Sequence, residues 1–79
     1  MIIRYGKNAV KHIEILDKTS KQRIKKAIEK IPSGDIKKLK GFQNEYRLRV
    51  GDFRVLFSQE ADIIVIKDVL SRGQAYKRL

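Results

Sequence analysis

Four arginines and one tyrosine stand where they could act together on a phosphate: Arg47, Arg49, Arg54 and Arg72, with Tyr76 four residues beyond the last. A guanidinium fork binds a phosphate through two parallel hydrogen bonds and keeps its charge at any physiological pH. It can hold developing negative charge, but it cannot take up a proton. The Tyr76 ring can lie against a nucleobase, or it can pack and tie down the C-terminus. Other chemistries are poorly supplied. The 79 residues include no cysteine, so a thiol nucleophile, a thiolate zinc site and a disulfide are all excluded. A single histidine and 9 scattered acids do not suggest a metal site. His12 lies among lysines, far in sequence from the arginines, and reads as a surface or boundary residue. No metal and no small-molecule cofactor is expected.

The arginines acquire a common face through the strands that carry them. Phe42 to Val50 and Phe53 to Ser58 alternate in hydrophobicity, and Gly51-Asp52 between them fits a two-residue hairpin turn. That turn sets Val50 against Phe53, Arg49 against Arg54, Leu48 against Val55, Arg47 against Leu56 and Tyr46 against Phe57. Paired residues share a face. One face is then apolar, with Val50, Phe53, Leu48, Val55, Tyr46 and Phe57. The other gathers Arg47, Arg49 and Arg54 around Leu56. A second hairpin centred between Glu60 and Ala61 would set Leu56 against Val65 and Arg54 against Lys67, adding Lys67 to the cluster. Like charges opposed on a sheet are destabilising without an anion between them. A surface built for solubility alone would intersperse acids.

The remaining elements supply the cover. Met1 to Tyr5 reads as a short strand that Gly6 ends. Ala9, Ile13 and Leu16 recur at helical spacing from Lys7 to Asp17. Thr19 with Gln22 fits a capping box opening a second helix, whose apolar stripe is Ile24, Ala27, Ile28 and Ile31. Pro32-Ser33-Gly34 ends it. Ile63 to Leu70 is a third long strand, apolar enough to be buried on both faces. The order is β-α-α-β-β-β: an α+β fold in one domain, residues 1–79, with a helical hairpin on one face of an antiparallel sheet.

Charge completes the picture. The chain holds 19 Lys+Arg against 9 Asp+Glu, a net charge of +10. A polyanion is the expected partner. Lys37, Lys38 and Lys40 form a basic run read as a solvated loop or a phosphate-steering patch, and Lys77 and Arg78 extend the basic tail. The longest apolar runs, about four to five residues, fall far short of the roughly 20 of a membrane span. With no signal-peptide core, a cytoplasmic location is expected.

Leu39-Lys40-Gly41, the run Tyr46-Arg47-Leu48-Arg49-Val50-Gly51-Asp52-Phe53-Arg54-Val55-Leu56-Phe57, and the terminal Arg72 and Tyr76 resemble the RelE/ParE superfamily of bacterial and archaeal toxins, in its RelE-like branch. The resemblance implies the toxin of a type II toxin–antitoxin pair. It implies an endoribonuclease that cuts mRNA on the ribosome without a metal, by attack of a 2′-hydroxyl on the adjacent phosphate. By position it assigns Arg54 to the scissile phosphate, Arg47 and Arg49 to basic strand positions, Arg72 to a C-terminal basic position and Tyr76 to the base. The expected partners are an acidic antitoxin, the ribosome and mRNA. Some members carry Lys at the positions of Arg47 and Arg49, a Glu before the Leu-Lys-Gly stretch or a His beside the terminal Tyr; this chain has none of these. Glu45 is then the nearest candidate for a general base. The alternatives are a ParE-type poison of DNA gyrase, or a non-catalytic or attenuated RNA- or ribosome-binding module.

Overall fold

The computed structural model describes residues 1–71. Strand β1 (Ile2–Tyr5) leads into helices α1 (Lys7–Glu14) and α2 (Lys18–Glu29). Four strands follow: β2 (Asp35–Lys38), β3 (Glu45–Val50), β4 (Phe53–Glu60) and β5 (Ile63–Ser71). They form a single five-stranded sheet in the order β1-β5-β4-β3-β2, with β1 parallel to β5 and the other pairs antiparallel. The architecture is the expected α+β one, with one strand more than the sequence reading.

Both helices cover one face. Ala9 from α1, Ile24 and Ile28 from α2, and Ile31 beyond it pack on Leu48, Val55, Phe57, Ile64, Ile66 and Val69. The Tyr46 and Phe57 rings stack with centroids 5.4 Å apart. These are the residues that the alternation in β3 and β4 assigned to the interior. Leu70 is 1% exposed, yet it pairs with Arg54, so it stands on the face turned away from the helices.

The β3–β4 register is the expected one, from Val50 opposite Phe53 to Tyr46 opposite Phe57. Gly51 lies at φ +57° in the turn, where a side chain would be strained.

Four expectations are corrected. Lys37 and Lys38 are not loop residues: Asp35–Lys38 pairs with the outer edge of β3. The four-residue segment has little strand propensity of its own, and an open sheet edge decides its state. α1 stops at Glu14 rather than Asp17. α2 starts at Lys18 and is capped by Asp17, not by a Thr19–Gln22 box. The Asp17 carboxylate accepts from the Ser20 backbone N–H at 3.0 Å and from its hydroxyl at 2.7 Å. Finally, the β4–β5 loop is Ala61-Asp62, with Glu60 opposite Ile63, and a bulge interrupts the ladder at Leu56/Phe57. Leu56 therefore faces Asp68 rather than Val65, and Arg54 faces Leu70 rather than Lys67.

Candidate functional site

The register assembles two neighbouring rows on the face away from the helices. Lys37, Arg47 and Leu56 stand side by side on β2, β3 and β4, while Asp68, opposite Leu56 at the bulge in β5, reaches His12 of α1. Asp35, Arg49, Arg54 and Leu70 form the next row. Paired residues place their Cβ atoms about 5 Å apart, and diagonal neighbours about 7–8 Å apart. Arg47, Arg49 and Arg54, joined by Lys37, thus form a patch that a single phosphodiester group could bridge.

Arg54 is the unusual member. It lies on β4, the central strand, and is 4% exposed. Its Nη1 donates to the Phe53 carbonyl at 3.2 Å and, more loosely, to the Gly51 carbonyl at 3.4 Å. The hairpin turn thereby fixes the guanidinium. Among the described residues, the carboxylates in ion-pair contact are Asp68, with His12, and Glu45, with Lys67. Neither pair includes Arg47, Arg49 or Arg54. Arg47 is half-buried, and its Nε is enclosed without a hydrogen-bond partner. Arg49 and Lys37 are exposed. A buried charge is costly unless it is paired. The patch therefore carries more positive charge than the described part of the fold neutralises.

Other candidates fall elsewhere. Lys67 is engaged by Glu45 and does not join the arginine row. The same contact takes up the Glu45 carboxylate, the acid nearest in sequence to Arg47. Lys38 pairs with Tyr46 and so belongs to the helix-side face. Lys40 follows β2 and, with Phe42 and Gln43, lines a separate shallow depression. Arg72, Tyr76, Lys77 and Arg78 lie outside the described residues.

One pairing escaped the sequence. His12 Nδ1 lies 2.5 Å from the Asp68 carboxylate, which also accepts from the Val69 N–H at 2.9 Å. Asp68 is 6% exposed. The bond ties α1 to the strand that flanks Arg54. With 56 residues between the partners, no local pattern announces it.

The arrangement can bind a phosphate and stabilise added charge on it. It offers no ready proton acceptor among the arginines. Comparison with known proteins identifies the family. Residues 3–76 match the family described as the ParE toxin of the type II toxin-antitoxin system, parDE. Toxin RelE3 of Methanocaldococcus jannaschii is 33% identical, over 96% of this chain and 96% of its own. The crystal structure of a RelB-RelE antitoxin-toxin complex from Methanococcus jannaschii contains a chain of the same fold. Its TM-score is 0.82 at 31% identity, covering 96% of this chain and 98% of that one. The archaeal RelE-RelB complex from Pyrococcus horikoshii OT3 gives a TM-score of 0.74 at 28% identity, over 92% of this chain and 96% of that one. The chain belongs to the RelE/ParE superfamily of type II toxin–antitoxin toxins, as a RelE-like member.

Proposed function

We propose that this toxin is a metal-independent, ribosome-dependent endoribonuclease that inhibits translation by cutting mRNA. The observation that carries the reading is Arg54, a buried guanidinium fixed by the Gly51–Phe53 turn and opposite Arg49, and among the described residues the ion pairs do not include it. In the reaction, the substrate 2′-oxygen bonds to phosphorus and the bond to the 5′-oxygen breaks. The products are a cyclic phosphate and a 5′-hydroxyl. Arg54, with Arg72, stabilises the extra charge on the phosphorane. Arg47, Arg49 and Lys37 hold the backbone, and Tyr76 orients a base. One proton must leave the 2′-hydroxyl and one must reach the leaving oxygen. The arginines do neither, so the ribosome-bound complex supplies those transfers. The partner in the cell is an antitoxin, as in the RelB-RelE complexes of the archaeal relatives, and the net charge of +10 fits an acidic one.

The test is to add the protein to a translation reaction and map new 5′ ends on the mRNA. Cuts within codons, weakened about 10²–10³-fold in Arg54→Lys and in Arg49→Ala, support the reading. The family's ParE description keeps one rival in play. Stalled DNA–gyrase complexes with intact mRNA would establish that rival, and bound ribosomes with uncut mRNA would make the protein a non-catalytic binder.

A further inference from the structure

A second cationic site lies around the edge of the sheet. An open groove of about 320 Å³ runs between α2 and the outer end of β3. Ala27, Leu48 and Val50 give it an apolar floor, and Arg23, Lys26, Lys30 and Arg49 line its rim. No acid is among its lining residues. Three acids neighbour rim or turn residues in sequence or register without lining the groove. Glu29 ends α2 beside Lys30, and after burial it is the second cause that raises the Tyr5 hydroxyl above its ordinary pKa. Asp35 stands opposite Arg49 on β2, and Asp52 is in the hairpin turn.

Two features tie this groove to the arginine patch. Arg49 belongs to both: it lines the groove and pairs with Arg54. Gly51 also joins them. Its carbonyl accepts from Arg54, while a Cβ built on it would meet Arg23 Nη2 at 3.0 Å. The bare backbone at Gly51 thus makes room for Arg23 at the tip of the turn that fixes Arg54. Arg23, Lys26 and Lys30 follow i, i+3, i+7 spacing and share one side of α2. They span roughly 10 Å of helix axis at 1.5 Å per residue. That is about three nucleotide steps of a stacked strand at 3.4 Å each, a stretch of four phosphates.

We propose that this groove seats the RNA strand flanking the phosphate held at the arginine patch, with Arg23, Lys26 and Lys30 spread along a stretch of about four phosphates and the Ala27-Leu48-Val50 floor against a sugar or base. The inference rests on the RNA-cleaving reading and specifies where the rest of the strand runs. Charge decides the occupant: a row of three cations with no lining acid fits a repeating anion, and it repels a second copy of a +10 chain.

The experiment compares the wild type with K26A/K30A, exposed positions on α2 and at its C-cap. The probes are 2′-O-methyl RNAs of three and nine nucleotides, which bind without being cut. Affinity is measured across a salt series, beside a thermal melt that verifies folding. For the nonamer, the double variant should bind more weakly, and its slope of log affinity against log salt should fall by about 1.4, from two lost contacts at about 0.7 each. Trimer binding and the melt should stay unchanged. An unchanged nonamer slope overturns the proposal, as does equal weakening for both lengths. Unchanged RNA binding with lost affinity for a Glu-rich helical peptide also overturns it, making the groove a protein site. The two readings fail separately. Intact mRNA with the expected slope change sinks the nuclease and keeps the groove; cut mRNA with an unchanged slope does the reverse.

Discussion

Arg54 concentrates the tension in this molecule at one side chain. Its charge is withdrawn from water, faces Arg49 across the ladder and, among the described residues, is met by two backbone carbonyls. An apolar side chain of similar length would escape that desolvation. Arg54→Met should therefore keep or raise stability while removing phosphate chemistry. A gain of about 1 kcal/mol would appear as a rise in Tm of about 4–8 °C in a domain this small. A large fall in Tm would mean that the two carbonyl contacts outweigh the buried charge. His12 behaves oppositely. His12→Ala takes a donor away from the buried Asp68 carboxylate, and such a loss costs about 1–3 kcal/mol. Denaturant unfolding should show that loss as a lower midpoint. The sequence located the arginine cluster because strand alternation and a Gly-Asp turn fix a register. It could not locate His12–Asp68, because that contact exists only once α1 has docked on the sheet.

At the scale of elements, legibility followed the strength of the local signal. The β3–β4 ladder could be read residue by residue from Tyr46 to Phe57, since a tight turn and strict alternation leave one register, although β3 begins at Glu45 rather than at Phe42. β5 could be recognised as a strand, but its register could not be read. Ala61 adopts φ +51°, a conformation that alanine does not advertise, and the bulge then displaces Lys67 from Arg54. β2 was invisible, because a segment reading Asp-Ile-Lys-Lys becomes a strand only beside the open edge of β3. The start of α2 is set by Asp17 rather than by the Thr19–Gln22 box. Its carboxyl is held below the ordinary carboxylate range by the Ser20 hydroxyl and, next, by the Ser20 backbone N–H. A depressed folded value means that the cap stabilises at pH above the unfolded carboxyl's range and fades as pH falls through the lower, folded one. Asp17→Ala should therefore lower Tm at neutral pH, and the gap from the wild type should close in acid. A gap that persists at low pH would place the effect in helix propensity rather than in the charged cap.

For the whole molecule, the question is whether the charge excess acts as a diffuse cloud or as a defined track. Among the described residues, no helix is long and apolar enough to cross a membrane. Counterion release separates the two cases, since the salt dependence of RNA binding counts neutralised phosphates rather than net charge. A track of Lys37, Arg47, Arg49, Arg54, Arg23, Lys26 and Lys30 on single-stranded RNA gives a slope near −5, at about 0.7 per contact. If Arg72, Lys77 and Arg78 each added a contact, it would reach about −7. Were all 19 Lys and Arg engaged, it would approach −13 at the same increment, beyond what one face and one groove can reach. A slope between about −5 and −7 on a nine- to twelve-nucleotide strand therefore supports a defined path across the sheet and around its edge. A much steeper slope would assign binding to the lysines of both helices. An acidic antitoxin that covers the same path should abolish RNA binding at one partner per toxin, whereas against a diffuse cloud a single partner would only weaken it.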